Sequence, residues 1–357
     1  MNFTEFKNLY QKKPVEEYPH NVCPNPKVSV YVQTYNHFKY IKKCLDNIIS
    51  QQTNFSFEII IGEDQSTDGT REVCIEYANK YPQLIRLFLH ADANKRIIGG
   101  QKTGRFNLHY NLYNCRGKYI ALCEGDDYWT DPHKLQKQVD YMEGHPECSM
   151  CFHPAYFLKK GLIAKKIYRL SKENTILKES DKFQVLNTKF APTASLFFKT
   201  DYIKKLPEWV INAPTGDIAL KLLLLSKGKL GYINKPMAVY RVNTAGSWSR
   251  SIQYDKERKM QLNLDLIYLL HQFNNYTNYK YIDDIIKRQA NFLSKVIKYQ
   301  NVIQRFSFLK FWIRHQRIFL KFPFIMNIKI LIMIFFAPII DLVLICQKKS
   351  VSILNKH

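Results

Sequence analysis

Three carboxylates fall within four residues at Glu124-Gly125-Asp126-Asp127, directly after an apolar run over 118–123. Like charges this close repel one another, so the cluster calls for a compensating positive charge. A divalent cation supplies it, because carboxylate oxygens are hard ligands suited to Mg²⁺ or Mn²⁺ and substrate phosphates complete the shell. The plainer alternative is a solvated acidic turn ahead of a helix that starts near Pro132. A second acidic pair, Glu63-Asp64, follows the β-branched run 57–61 and leads into Gln65-Ser66-Thr67-Asp68-Gly69-Thr70. Asp217 stands apart, opening the apolar stretch 218–225 after a loop that contains Pro214 and Gly216. An isolated carboxylate of this kind can take a proton from an attacking hydroxyl. The alternative is an acid that only favours the positive end of its helix.

These groups need a frame. Residues 28–33, 57–61 and 118–123 read as buried strands, each ending in a polar loop, with helical segments between them. That is the layout of a parallel α/β sheet whose ligands sit at the carboxyl edge. The first connecting helix carries an apolar stripe at Ile41, Leu45, Ile48 and Ile49. Ser66 or Thr67 is expected to cap the next helix with Asp68 at its positive end, a structural role. That leaves Glu63 and Asp64 as the ligand candidates of this loop.

The combination of 28–36, 63–70, 117–123 and Glu124-Gly125-Asp126-Asp127-Tyr128-Trp129 resembles the family 2 glycosyltransferases over roughly residues 26–250. The resemblance implies an inverting enzyme with a GT-A fold: a Rossmann-like, mostly parallel central sheet with helices on both faces. It implies a nucleoside-diphosphate sugar donor, expected to be a UDP-sugar, and a glycan or lipid-linked acceptor. Glu63 falls at the position that recognises uracil, and Glu124-Gly125-Asp126 at the Asp-x-Asp motif, with Asp126 and Asp127 as metal ligands for Mn²⁺ or Mg²⁺. Thr34, Tyr35, Asn36 and Asp64 join the donor site, and Asp217 matches the general base. Arg241 lies in a segment, 240–249, that resembles one closing over the donor; it meets a phosphate or pairs with a carboxylate. The basic, glycine-rich stretch 99–107 could bring amides and Lys102 to the diphosphate, or be a solvated loop.

Composition frames the rest. The eight cysteines show no disulfide framework and no apolar N-terminal stretch is present, so an intracellular, cytoplasmic protein is expected. Cys148 and Cys151, flanked by His145 and His153, could suggest zinc, but a strand there would point the two thiols to opposite faces. Residues 1–25 are expected as an N-terminal arm, 26–250 as the catalytic domain and 251–357 as a basic helical region. Residues 250–357 hold 18 Lys/Arg against 6 Asp/Glu, so about half of the chain's net charge of +23 sits there. A hydrophobic segment over about 319–346 is broken by Lys329, Pro338 and Asp341, which suits a helix lying on the inner face of a membrane better than one spanning it. The aliphatic run has no use in a nucleic-acid groove, so no nucleic-acid partner is expected. Two rival classes remain: a nucleotidyltransferase acting on sugar phosphates, which would need a glycine-rich basic signature after the first strand, and a non-catalytic basic binding protein.

Overall fold

The apolar runs become neighbouring strands of one sheet. In the computed structural model, which describes residues 1–159, 161–163, 167–244 and 255–299, β1 (Glu16–Glu17), β2 (Val28–Thr34), β3 (Phe57–Glu63) and β4 (Ile85–Leu89) precede a two-stranded hairpin, β5 (Arg96–Ile98) and β6 (Gln101–Thr103). Then come β7 (Tyr119–Glu124), β8 (Tyr128–Trp129), β9 (Cys148–Phe152), β10 (Tyr156–Lys159), β11 (Leu162–Ile163), β12 (Thr175–Ile176), β13 (Phe197–Lys199), β14 (Lys229–Tyr232) and β15 (Ala238–Arg241). The large sheet runs β1-β4-β3-β2-β7-β13-β9-β14-β12, and its left centre, β4-β3-β2-β7, is parallel. A smaller sheet, β11-β10-β15-β8, stands apart from it.

Parallel strands are covered on both faces, which is why β2 and β3 are almost continuously buried rather than alternating. The covering helices include α1 (Phe3–Tyr10), α2 (Phe38–Ile49), α3 (Thr70–Lys80), α4 (Arg105–Asn114), α5 (Lys134–Gly144), α6 (Glu208–Ile211) and α7 (Gly216–Lys227). The expected stripe of α2 is buried at Ile41, Leu45 and Ile48, with Cys44 added, while Ile49 is only partly covered. In α7, Leu222, Leu223, Leu224 and Leu225 are all buried. An all-round apolar helix belongs in a core, and each such leucine is worth ~1.5–3 kcal/mol.

Register levels the strand ends. Thr34 pairs with Glu63, and Gln33 with both Gly62 and Glu124. Because β2 sends the chain to β3 on one side and lies beside β7 on the other, the crevice at these carboxyl ends is a topological switch point. The strands also run further than the apolar runs suggest, so Glu63 and Glu124 are the last strand residues rather than loop residues.

Neither Ser66 nor Thr67 caps α3, contrary to expectation: the helix starts at Thr70, after Gly69 in the left-handed region at φ 95°. Asp68 instead accepts from the Thr70 amide at 3.1 Å and, across the loop, from the Phe38 amide at 3.0 Å, serving the starts of both helices. Cys148 and Cys151 lie in β9 as free, buried thiols, and among the described residues they join no metal-ligating group. The N-terminal segment packs through α1, where Phe6 is fully buried and its ring sits 5.4 Å from that of Phe106.

The chain divides into two compact units, Met1–Arg250 and Ser251–His357. In the second, the described residues form helices over Lys256–Tyr276 and Ile282–Tyr299, with Leu266, Leu269, Leu270, Phe273, Ile285 and Leu293 buried. Among the described residues no helix is long and apolar enough to cross a membrane, and the segment 319–346 lies outside them.

Candidate functional site

The acidic turn is built by strand ends. After β7 the chain turns back on itself, with the Asp127 amide donating to the Glu124 carbonyl at 2.9 Å and the Gly125 amide to the Gln33 carbonyl at 2.9 Å. Gly125 is required by close approach: a Cβ there would lie 2.7 Å from Thr34 Oγ1 and 2.9 Å from His37 Nδ1. The turn enters β8, which pairs with β15 so that Tyr128 lies opposite Val239. That pairing delivers Arg241, whose amide donates to Asp127 Oδ1 at 2.8 Å and whose guanidinium donates to the Asp126 carbonyl. The guanidinium also lies over the rings of Tyr128 and Tyr40, 4.7 and 4.8 Å from their centroids. Thr244 Oγ1 donates to Asp126 Oδ2 at 2.9 Å.

Ligand oxygens of Glu124, Asp126 and Asp127 all lie within 4.8 Å of one another, the one such group among the described residues. Burial, then the charges of Asp126 and Asp217, pushes the Glu124 carboxyl up to about 8. Burial and the charges of Asp126 and Glu124 push Asp127 well above the carboxylate range. Among the described residues Asp127 Oδ2 is buried with no hydrogen-bond partner, an arrangement that costs free energy unless something positive meets it. An all-oxygen set with an orphaned buried carboxylate oxygen fits a hard divalent cation.

The two acids of the neighbouring loop, both buried, differ in their hydrogen bonds. Glu63 is fully buried, its oxygens taken by Arg71 Nε at 2.5 Å, the Ser66 amide at 2.6 Å and the Gln65 amide at 3.2 Å. Its carboxylate thereby ties the loop to Arg71 and to its own amides. Among the described residues Asp64 has no side-chain hydrogen-bond partner, and burial, opposed by Lys95, pushes it up to about 7. Asn36, in the left-handed region at φ 53°, ties this loop to β2: its amide donates to Ser66 Oγ and its side chain accepts from the Thr67 amide, both at 2.9 Å. Tyr35 is exposed, with Lys95 Nζ 3.8 Å from its ring centroid. Lys102 is exposed on β6 and pairs with Asp92 at 2.5 Å. The solvated alternative thus describes Lys102, because its ammonium already has a carboxylate partner.

Asp217 lies in the first turn of α7, partly exposed, with Lys221 Nζ 3.5 Å from its Oδ2. Lys221 is fully buried and also donates to the Ala191 carbonyl at 2.8 Å. Arg105, at the start of α4, donates to the Pro214 carbonyl at 3.1 Å, and a Cβ on Gly216 would fall 2.2 Å from its Nη1. The Asp217 charge contributes to raising the Glu124 carboxyl, so the lone acid and the acidic turn are electrostatic neighbours.

Sequence reasoning passed over Arg105, Lys221, Thr244 and His37. Arg105 lay within the basic stretch read for Lys102, and the i to i+4 spacing of Asp217 and Lys221 was an available signal. Thr244 reaches Asp126 only through the β8–β15 pairing, for which no local pattern exists.

The sequence profile described as Glycosyl transferase family 2 matches residues 29–206. An uncharacterized protein of Mycobacterium tuberculosis is 33% identical over 237 residues, covering 65% of this chain and 63% of that protein. The chain thus spans less than two thirds of that relative's length. An uncharacterized glycosyltransferase of Nostoc sp. is 25% identical over 273 residues, 73% of this chain and 76% of the relative. Among solved structures, Staphylococcus aureus TarS 1–349 in complex with UDP-GlcNAc is similar in fold, with a TM-score of 0.50, 16% identity and coverage of 78% of this chain and 83% of that one.

Proposed function

This chain belongs to glycosyl transferase family 2, and from that premise we propose that it is an inverting, metal-dependent glycosyltransferase. It moves a sugar from a nucleoside-diphosphate donor, a UDP-sugar, to a hydroxyl of a glycan or lipid-linked acceptor. One observation carries the proposal: at the carboxyl end of β7, ligand oxygens of Glu124, Asp126 and Asp127 lie within 4.8 Å of one another, while Asp217 is a separate acid whose charge still acts on Glu124. Inversion needs the departing diphosphate and the attacking hydroxyl on opposite sides of the sugar, each with its own group.

Asp126 and Asp127 would hold Mg²⁺ or Mn²⁺, with Glu124 beside them. When bound, the cation neutralises charge that develops on the leaving diphosphate. Asp217 accepts the acceptor's proton on its carboxylate oxygens. Asp64, the acid of its loop with no hydrogen-bond partner among the described residues, accepts a hydrogen bond from the uracil imide, and the exposed ring of Tyr35 together with Thr34 and Asn36 completes the nucleoside side. Glu63 and Arg241 support these groups, Glu63 by holding the loop and Arg241 by holding the acidic turn. The UDP donor is supported by the fold-level likeness to TarS, whose structure carries UDP-GlcNAc. The basic, aromatic and aliphatic composition of the C-terminal third supports work at the cytoplasmic face of a membrane, as in surface-polysaccharide synthesis.

The test is a screen of nucleotide sugars for release of nucleoside diphosphate, with Mg²⁺, Mn²⁺ or chelator, followed by anomeric analysis of any product. Metal-dependent release of UDP is expected. Release of pyrophosphate from a nucleoside triphosphate and a sugar phosphate would instead identify a nucleotidyltransferase, and a retained anomeric configuration would rule out inversion.

A further inference from the structure

A carboxylate that takes a proton must be held as well as placed, and a fully buried lysine reaches Asp217. Lys221 lies one turn further along α7 and has no side-chain exposure. Its Nζ donates to the Ala191 carbonyl at 2.8 Å and stands 3.5 Å from Asp217 Oδ2. An ammonium removed from water is costly unless groups of the protein meet its charge, so these contacts are what keep the lysine inside. The segment that offers the Ala191 carbonyl is in turn fastened to the strands of the acidic turn. Its Leu196 carbonyl accepts from the Leu122 amide of β7 at 3.2 Å, and its Ala194 carbonyl accepts from Trp129 Nε1 of β8 at 3.1 Å. Ala191, Ala194 and Leu196 are all fully buried. A continuous set of contacts thus runs from β7 and β8 through segment 191–196 to Lys221 and Asp217. The Asp217 side chain keeps 31% exposure, so contact with Lys221 does not seal it from an incoming hydroxyl.

We propose that Lys221 is a positioning residue: its ammonium, anchored on the Ala191 carbonyl, holds the Asp217 carboxylate in one orientation relative to the acidic turn. The proposal rests on the reading of Asp217 as general base and goes beyond it by naming what holds that base. A base oriented by a third group is the usual arrangement where a hydroxyl must be activated. The hold matters because transfer depends on geometry, and a reacting group displaced by ~1 Å can cost ~10²-fold in rate. A lysine serving the helix alone would have no need of an anchor on a segment tied to β7 and β8.

The experiment is a double-mutant cycle on the full chain: wild type, Lys221→Met, Asp217→Asn and the pair. Met keeps an unbranched side chain and removes the charge. UDP release from UDP-GlcNAc, UDP-glucose and UDP-galactose is followed with Mn²⁺, water standing in for the acceptor hydroxyl, and UDP affinity is measured by calorimetry. The expected result for Lys221→Met is a kcat lower by about 10- to 100-fold, with donor KM and UDP affinity unchanged. In the Asp217→Asn background the same substitution should change kcat by less than about twofold, because the group it orients is already gone. An equal factor in both backgrounds would overturn the proposal, since Lys221 would then act on something other than Asp217. So would an unchanged kcat, or a loss of UDP affinity that tracks the loss of rate. If Lys221→Met fails to fold, the cycle is run with Lys221→Gln, whose amide still donates but carries no charge, under the same criteria. Near-normal release by Asp217→Asn alone would overturn the general-base reading and the proposal with it. A large effect of Asp217→Asn beside none of Lys221→Met would overturn the proposal only.

Discussion

Glu124→Gln should stabilise the protein in the absence of divalent cations, and only at neutral to alkaline pH. Burial first, and then Asp126 and Asp217, moves the Glu124 carboxyl from its ordinary 4.5 up to about 8. For a carboxyl raised in the folded state, the folded protein binds the extra proton between those two values, so stability falls as pH rises from about 4.5 to about 8. At ~1.4 kcal/mol for each tenfold change in proton affinity, the full gap corresponds to about 5 kcal/mol. Glu124 keeps partial exposure, and water reaching the carboxylate screens it, so about 2 kcal/mol is the working expectation at pH 8. Gln matches Glu in size and cannot ionise, so it removes the penalty without opening a cavity. The assay is urea unfolding of both proteins at half-unit steps from pH 4.5 to 8.5 in chelator. The variant should gain progressively on wild type as pH rises, and added Mn²⁺ should favour wild type instead. A stability difference that stays constant across that range would refute the account of repulsion within the acidic turn.

Three further outcomes are expected. Asp126→Ala should abolish metal-dependent UDP binding in calorimetry while leaving the circular dichroism spectrum unchanged, since it removes one of three crowded carboxylates. Asp217→Asn should lower transfer by ~10²–10⁴-fold with UDP and Mn²⁺ binding retained, because an amide fills the same space but takes no proton; near-normal transfer would mean that another group is the base. Asp64→Asn and Glu63→Gln should separate, the first weakening uridine binding and the second lowering thermal stability, because Glu63 is held by Arg71 and two amides while Asp64 has no such partners among the described residues.

The residues alone determined a good deal. Short apolar runs that end in polar loops admit little except buried strands, and three of them with helical connections admit little except a parallel sheet. Acids at the ends of such runs must then gather at one edge, so Glu124, Asp126 and Asp127 were readable as a cluster and Asp217 as the opening residue of an apolar helix. These are consequences of period and polarity, both local properties of the chain. What the chain could not declare is direction. Glu63 and Asp64 are adjacent buried acids, yet the first is held by Arg71 and the loop amides while the second has no side-chain hydrogen bond among the described residues. Arg241 was a basic residue with two available partners until the β8–β15 pairing set it against Asp126 and Asp127, more than a hundred residues away. Lys102 and Arg105 are three residues apart, but one faces solvent and Asp92 while the other is drawn in beneath the Pro214–Gly216 loop. Each of these outcomes depends on which side of an element faces which neighbour, a property of packing between distant segments that no local pattern encodes.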